Sequence, residues 1–351
     1  MFAADIQRII DESARKLLQS SSPSVRYWVL RDVMQKGEED SDLQRTLAEC
    51  EHYPARQRLI RTMKVDGSWP VPRFQQPPTG VTTPTRLDPV KIAAYKNLLS
   101  LLHFVTRPDE DGIMTATNRL LDDQSEEGYL RGPIEHGLPQ PHFDGYALYI
   151  LYGFDMAPDA RVKKAADWLI SNQRRDGGWS MPYVQDVRYL DEYRHLKMED
   201  FVRLMMTDER DRHDPRELQH IPSCHWTTMM ILWGLGEVPS RRNSRCIRRA
   251  TDFLLGRFFK KNPHSNYYMS ERNWMTVRYP FSKCGGLSAL NTLTKMGKGP
   301  DDPRMEKPIR WLVSQRYRDG FWTESNRPHM EKGQWITLSS LEILSRYAAK
   351  L

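Results

Sequence analysis

The segment AADWLISNQRRDGGWS (165–180) shows the unit from which this chain is built. Its first half carries apolar residues at helical spacing, among them Ala166 and Leu169, and so predicts a helix with one apolar face. Gly177 predicts the end of that helix, because glycine adopts the positive φ of a helix C-cap without strain. We expect the following Trp179 to fold back and pack on a neighbouring helix.

The same unit recurs along the chain, as in proteins that stack one supersecondary unit on the next. Two further segments end on Asp-Gly, one residue and Trp: LIRTMKVDGSWP (59–70) and IRWLVSQRYRDGFWTE (309–324). A fourth, NRLLDDQSEEGYLRG (118–132), has Gly-Tyr in the corresponding position. We interpret the Gln, Gly and Trp residues of these segments as structural contacts between repeats.

Between these units lie segments that are apolar on nearly every side, which is typical of a helix buried all round. They are IAAYKNLLSLLHFV (92–105), GYALYILYGF (145–154), WTTMMILWGLG (226–236), GLSALNTLTKMG (286–297) and WITLSSLEILSRYA (335–348). Alternation of one-faced and fully apolar helices predicts an outer and an inner ring around a central cavity. The sequence therefore predicts an all-α fold of the α/α toroid type, as one domain over residues 1–351.

Two stretches interrupt this pattern. Residues 69–89 are too rich in proline for a helix and predict a connection that caps one end. Residues 182–220 are rich in Asp, Arg and His, and they predict a polar excursion over one rim.

Composition limits the classes of function. Hydrophobic residues make up 39% of the 351 residues, and no stretch approaches the roughly 18 apolar residues of a membrane helix. We expect a cytoplasmic protein, because the N-terminus resembles an amphipathic helix rather than a secretory signal and the four cysteines form no C-x-x-C pair. The net charge of +7 comes without a nucleic-acid-binding motif, so we expect no nucleic-acid partner.

The repeated segments resemble the QW motifs of the squalene cyclase and protein prenyltransferase superfamily, whose members are α/α barrels. The resemblance extends from SPSVRYWVLRDV (22–33) to QWITLSSLEIL (334–344), and is greatest to short prokaryotic proteins described as squalene cyclase-like. It implies a barrel that holds an apolar small molecule of isoprenoid or lipid type, without a redox cofactor. Peripheral contact with a membrane is an open alternative, since such substrates are lipophilic.

In such a ring the N-terminal ends of the inner helices converge on one mouth of the cavity, where the positive end of the helix dipole lies. The segment PHFDGYALYIL (141–151) is similar in place to the Asp-x-Asp-Asp motif of class II terpene cyclases, whose middle Asp protonates an alkene. Asp144 stands at that middle position, whereas His142 and Gly145 replace the other two acids. The resemblance implies Asp144 as the proton donor, with His142 or His225 orienting its proton. A helix-capping role of Asp144 is the alternative.

A carbocation reaction also needs an aromatic lining that excludes water. Aromatic side chains of the inner helices, together with one lysine, predict this substrate-binding lining: Tyr95, Tyr146, Tyr149, Trp226, Trp233, Lys283 and Trp335. For each aromatic residue an ordinary place in the core is the alternative. We therefore predict a class II-like terpenoid cyclase or isomerase, with a non-catalytic toroid that binds a lipid or peptide as the second hypothesis.

Cys224, His225 and Cys284 form a second candidate set. Thiolate and imidazole groups bind zinc, and three protein ligands leave one position open for catalysis. The similarity to the zinc site of protein farnesyltransferases is incomplete, because Ser282 and Ile336 stand where Asp and His are expected. A zinc-dependent transferase or cyclase is therefore the third hypothesis, and buried free cysteines are the alternative.

Overall fold

The computed structural model describes residues 2–71, 85–110, 112–240, 244–264, 270–280, 284–324 and 331–351. In these ranges all named elements are helices, which confirms the predicted all-α class. The α-helices are α1 (Phe2–Leu17), α2 (Pro23–Trp28), α3 (Ser41–Glu51), α4 (Pro54–Thr62), α5 (Pro89–His103), α6 (Ile113–Asn118), α7 (Pro141–Gly153), α8 (Ala160–Ser171), α9 (Met198–Met205), α10 (His225–Leu235), α11 (Arg245–Gly256), α12 (Gly286–Lys295), α13 (Glu306–Ser314) and α14 (Glu331–Ala348). A π-helical turn, Val29–Val33, continues α2.

We call α5, α7, α10, α12 and α14 the inner helices, because they correspond to the five segments predicted to be apolar on nearly every side. All residues of α10 are buried, whereas the outer helix α8 buries one face, which includes Val162 and Leu169. The two kinds of helix alternate along the chain because their apolar residues follow two different patterns.

The inner helices contact one another in a cyclic order. Helix α5 packs on α7, α7 on α10, α10 on α12, α12 on α14, and α14 on α2 and its π-helical turn. The indole nitrogen of Trp28 donates to the carbonyl of His103 at 2.7 Å, which joins the end of α2 to the end of α5. Consecutive inner helices are therefore packed against one another, and the toroid stays a prediction.

The tightest of these contacts is between α7 and α10, and two glycines permit it. A Cβ atom on Gly234 would lie 2.0 Å from the carbonyl oxygen of Gly145, and one on Gly145 would lie 2.3 Å from that of Met230. Any larger residue at either position would push the helices apart. The close approach of the two backbones sets how the side chains of α7 and α10 lie relative to one another.

The tryptophans of the repeat unit lie over the N-terminal ends of the inner helices. The backbone N–H of Trp179 donates to Thr228 Oγ1 of α10 at 2.9 Å, and that of Trp322 donates to Thr337 Oγ1 of α14, also at 2.9 Å. Each indole nitrogen donates back to the preceding outer helix, as from Trp179 to the carbonyl of Leu169 at 2.7 Å. The repeat segments therefore close one end of the inner helices.

The lengths of the connections differ between the two ends. The chain passes from the end of α7 at Gly153 to the start of α8 at Ala160, and from α12 to α13 by a similarly short link. It needs far more residues to pass from an outer helix to the next inner helix, as between α8 and α10. These long connections cross the N-terminal ends of the inner helices, and the short ones lie at the C-terminal ends.

The excursion at 182–220 is not purely polar. It contains α9 and a small apolar core of its own, formed by Leu138, Tyr183, Val187, Tyr193, Phe201, Val202 and Met205. The buried Arg174 attaches it to the repeat, with Nη1 3.4 Å from Asp186 and Nη2 2.8 Å from the carbonyl of Ile221.

Of the predicted connection 69–89, residues 72–84 lie outside the described residues, and the flanking residues 69–71 and 85–88 form no helix. Among the helices that the structure describes, none is long and apolar enough to cross a membrane.

Candidate functional site

A cavity of about 500 Å³ lies at the C-terminal ends of the inner helices. The last turns of α5, α7, α10 and α12 line it, together with the π-helical turn and one side of α14. The prediction from the sequence placed the mouth at the N-terminal ends. The structure places this cavity at the opposite end, whereas a smaller cavity of about 210 Å³, lined by Val90 and Tyr95, lies at the N-terminal end of α5.

Two aromatic stacks form the walls. Tyr149 of α7 stacks on Trp233 of α10 with ring centroids 4.1 Å apart. On another side Trp335 of α14 stacks on Tyr279 at 5.6 Å and on His103 at 5.2 Å. Such ring faces bind planar or unsaturated groups and stabilise positive charge.

Charged side chains line the cavity beside these rings. Lys295 forms an ion pair with Glu237 and places its Nζ 5.3 Å from the ring centroid of Tyr149. Arg31 pairs with Asp32 at 2.7 Å and lies 4.0 Å from the ring centroid of Trp28. Two ring faces of the cavity are thus already in contact with cations of the chain itself.

Glu342 is a carboxyl group in the wall of the cavity, with a side chain that is 15% exposed. Its Oε2 accepts hydrogen bonds from Asn291 Nδ2 at 3.1 Å and from Arg346 Nη2 at 3.4 Å. Burial raises the pKa of Glu342 and the charge of Asp32 raises it further, whereas Arg346 and Asn291 lower it. Because burial dominates, the protonated form is favoured relative to an exposed glutamate.

His103, the last residue of α5, also lines the cavity. Its Nδ1 lies 2.5 Å from the hydroxyl of Tyr279. Burial lowers the pKa of His103 to about 4, so the ring is neutral at neutral pH.

Three of the predicted substrate-binding residues line this cavity: Tyr149, Trp233 and Trp335. The other three aromatic residues that were predicted pack in the core: Tyr95, Tyr146 and Trp226. Tyr146 contacts the cavity wall from behind, with its ring centroid 5.5 Å from that of Trp233. Lys283 lies outside the described residues.

Asp144, the predicted proton donor, is fully buried and does not line the cavity. Its Oδ1 accepts from the backbone N–H of Leu130 at 2.6 Å, and burial raises its pKa well above the ordinary value. The N-cap of α7 is Gln140, so Asp144 is not the cap of its helix either. The structure therefore gives Asp144 the role of a buried acceptor for a loop.

The two predicted histidine partners do not contact the carboxyl of Asp144. His142 Nδ1 and both ring nitrogens of His225 are buried without a hydrogen-bond partner in the described part of the chain. The ring of His225 packs against those of Trp226 and Trp274, at 4.5 and 4.7 Å, and burial lowers its pKa to about 3. The expected acid–histidine pair is not assembled.

The described residues contain no ligand set for the zinc ion of the third hypothesis. Within the described ranges, no three His, Cys, Asp or Glu side chains are placed to hold a metal ion. Cys224 Sγ accepts instead from Asn262 Nδ2 at 3.2 Å, and burial raises the pKa of the Cys284 thiol. The raised pKa of Cys284 disfavours the thiolate that zinc requires.

No signal in the spacing of motifs pointed to Glu342 or His103. One simple signal was present: each is an ionisable residue with apolar neighbours on both sides, in LEIL (341–344) and LLHFV (101–105). Such residues are rarely buried without a structural or functional reason.

No protein-family model matches this sequence. No curated protein sequence matches it either. A solved structure of a protein from Actinoplanes matches 98% of this chain and 99% of that chain, with 13% sequence identity and a TM-score of 0.46.

Proposed function

We propose that this chain is an enzyme that binds an unsaturated small molecule between the aromatic faces of the cavity and transfers a proton to it from Glu342. The observation that carries the proposal is a carboxyl group with a raised pKa in a cavity wall that also contains aromatic rings. The reaction class is that of a terpenoid cyclase or isomerase, as the resemblance to squalene cyclase-like proteins implies, with Glu342 in the role expected of Asp144.

The hydrogen bonds of Glu342 select the oxygen that carries the proton. Oε2 accepts from both Asn291 and Arg346. Oε1 has no hydrogen-bond partner among the described residues, and part of its surface is exposed. The proton of a neutral Glu342 therefore resides on Oε1, in reach of a molecule in the cavity.

The aromatic walls supply the second requirement of such a reaction. Protonation of a carbon–carbon double bond leaves a positive charge on the neighbouring carbon, and a ring face stabilises that charge without reacting with it. Trp233 and Trp335, each stacked on a further aromatic ring, line the cavity and are the rings proposed for this role.

A non-catalytic role in binding a lipid or peptide is the second candidate. The ion pairs at the cavity, such as Lys295 with Glu237, favour it, because they suit the polar end of an amphiphilic ligand. Under this alternative Glu342 contributes to affinity and transfers no proton.

Deuterium uptake separates the two candidates. The protein is incubated in D₂O with geraniol, farnesol and squalene, and the recovered molecules are analysed by mass spectrometry. We expect wild-type protein to place deuterium on carbon of at least one probe, and Glu342→Gln to abolish this uptake. The exposed Glu306→Gln is the matched control and retains it.

Tryptophan fluorescence during titration with the same probes reports binding, since Trp28, Trp233 and Trp335 line the cavity. Binding without deuterium uptake supports the second candidate and overturns the first. If the probes neither bind nor take up deuterium, both candidates are overturned.

A further inference from the structure

A proton-transfer reaction that regenerates a double bond needs a base as well as an acid. His103 lies where such a base is required, because its ring lines the cavity and stacks on Trp335 of the same helix that carries Glu342. Glu342 follows Trp335 by two turns of α14, which is about 10 Å along the helix axis. Both His103 and Glu342 line the same cavity, so a molecule that fills it contacts both groups.

The two ring nitrogens of His103 have different surroundings. Nδ1 is held by the hydroxyl of Tyr279 at 2.5 Å. Nε2 has no hydrogen-bond partner in the described ranges, and part of its surface is exposed. His103 is 8% exposed overall, and this small area belongs to the cavity that it lines.

The surroundings keep the ring neutral. Burial is the cause of the lowered pKa of His103, and no charged group contributes to it. The neighbouring rings of Trp335 and Tyr279 carry no charge at neutral pH, since burial also raises the pKa of Tyr279 well above its ordinary value. A neutral imidazole has one nitrogen that donates and one that accepts.

We infer that His103 is the base of the proposed reaction and removes the departing proton through Nε2, with Tyr279 as its positioning residue. This inference rests on the proposed proton transfer from Glu342. The inference assigns the tautomer in which Nδ1–H donates to the oxygen of Tyr279 across the contact of 2.5 Å, because this tautomer leaves the lone pair on Nε2. Sequence motifs gave no indication of either residue.

The step balances without a redox partner. The proton of Glu342 Oε1 forms a C–H bond with one carbon of the double bond, using its π electron pair, and the neighbouring carbon becomes positive. His103 Nε2 takes a proton from a carbon next to the positive centre, and the electrons of that C–H bond form the new double bond. Transfer of a proton from imidazolium back to the Glu342 carboxylate through solvent restores both groups.

The test uses the ratio of two products from farnesol in D₂O. In His103→Gln the cation still forms but loses its base, so water captures it. We expect the ratio of isomerised to hydrated product to fall at least about tenfold, while deuterium uptake continues. The exposed His52→Gln is the matched control and keeps the wild-type ratio.

Tyr279→Phe provides a second variant, because the ring that stacks on Trp335 is retained and only the hydroxyl is lost. We expect the same change of ratio, by a smaller factor. Circular dichroism and urea unfolding verify that each variant is folded.

An unchanged product ratio in folded His103→Gln overturns the inference and leaves the proposed function intact. Absence of deuterium uptake by the wild-type protein overturns the proposed function, and the inference with it. A purely structural role of His103 predicts equal loss of both products, which also contradicts the inference.

Discussion

The N-terminal and C-terminal ends of the inner helices carry the same kinds of ionisable groups in different packing. Asp144 and His225, near the N-terminal ends of α7 and α10, are fully buried. Burial shifts the pKa of Glu342 upward and that of His103 downward, in the same directions as for Asp144 and His225, but these two residues line a cavity. The comparison teaches that residue type and a shifted pKa do not identify a site until exposure to a ligand is known.

Chain connectivity explains the difference. The long connections between outer and inner helices cross the N-terminal ends, where the loop at Leu130 bonds to Asp144 and Trp179 bonds to Thr228. The short connections at the other end leave the last turns of four inner helices around a cavity. The recurring geometry of the repeat unit thus packs over the N-terminal ends, whereas large side chains line the cavity at the C-terminal ends.

The largest expected effect tests which end holds the acid. We expect Glu342→Gln to lower deuterium uptake by farnesol by about 100-fold or more, as for the loss of a general acid. Asp144→Asn keeps an oxygen that accepts from the backbone N–H of Leu130 and leaves the uptake unchanged. If only Asp144→Asn lost deuterium uptake, the proton donor would lie at the N-terminal end instead.

The contact between α7 and α10 determines the position of the Tyr149–Trp233 stack. A methyl group on Gly234 would lie 2.0 Å from a backbone oxygen, so we expect Gly234→Ala to destabilise the protein by about 1–3 kcal/mol. Gly256→Ala is the control, because no atom lies within 4 Å of its added Cβ. Urea unfolding measures both changes, and equal stability of the two variants would contradict the tight packing.

The buried histidines predict that stability rises with pH in the acidic range. Folding lowers the pKa of His225 to about 3 and that of His103 to about 4, so between these values and about 6.5 the unfolded chain binds more protons. The stability contributed by these two neutral histidines is therefore lost as the pH falls through this window.

His225→Phe isolates the contribution of the N-terminal end. We expect the free energy of unfolding, measured between pH 4.5 and 6, to change less steeply with pH, by up to about 1.4 kcal/mol per pH unit. Replacement of the exposed His52 by Phe serves as the control and leaves the slope as it is. An unaltered slope in His225→Phe means that His225 titrates alike in the folded and unfolded chain.

The smallest expected effect concerns the ion pair at the cavity. Lys295 and Glu237 are both partly exposed, so we expect Lys295→Met to change the free energy of unfolding by less than about 1 kcal/mol. Its effect on the affinity for farnesol, measured by fluorescence, is then separable from its effect on stability. A larger loss of stability would mean that this end is packed as tightly as the other.

Much of the fold could be predicted from the sequence because helical periodicity and chain-breaking glycines are local signals. The five inner segments appear as α5, α7, α10, α12 and α14, and Trp179 and Trp322 make equivalent contacts. The three cavity residues that were predicted correctly were also found from a local signal. Tyr149, Trp233 and Trp335 were found because they are aromatic residues on inner helices, not because a motif located the cavity.

The rest of the site could not be predicted from local signals. Asp144 occupies the place that the resemblance assigns to a proton donor, yet its carboxyl is used by the backbone N–H of Leu130. Glu342 and Asn291 come from different inner helices and meet only because α12 packs on α14. His103 and Tyr279 are likewise distant in sequence and in contact in space.

The sequence by itself determined the all-α class, the repeat unit and the division into one-faced and fully apolar helices. These follow from residue spacing, which acts over one or two helical turns. Only the tertiary structure decided which end of the inner helices holds a cavity, and so which ionisable groups have access to a ligand. The physical reason is that exposure depends on where the long connections pack, and that packing is set by contacts between residues far apart in the chain.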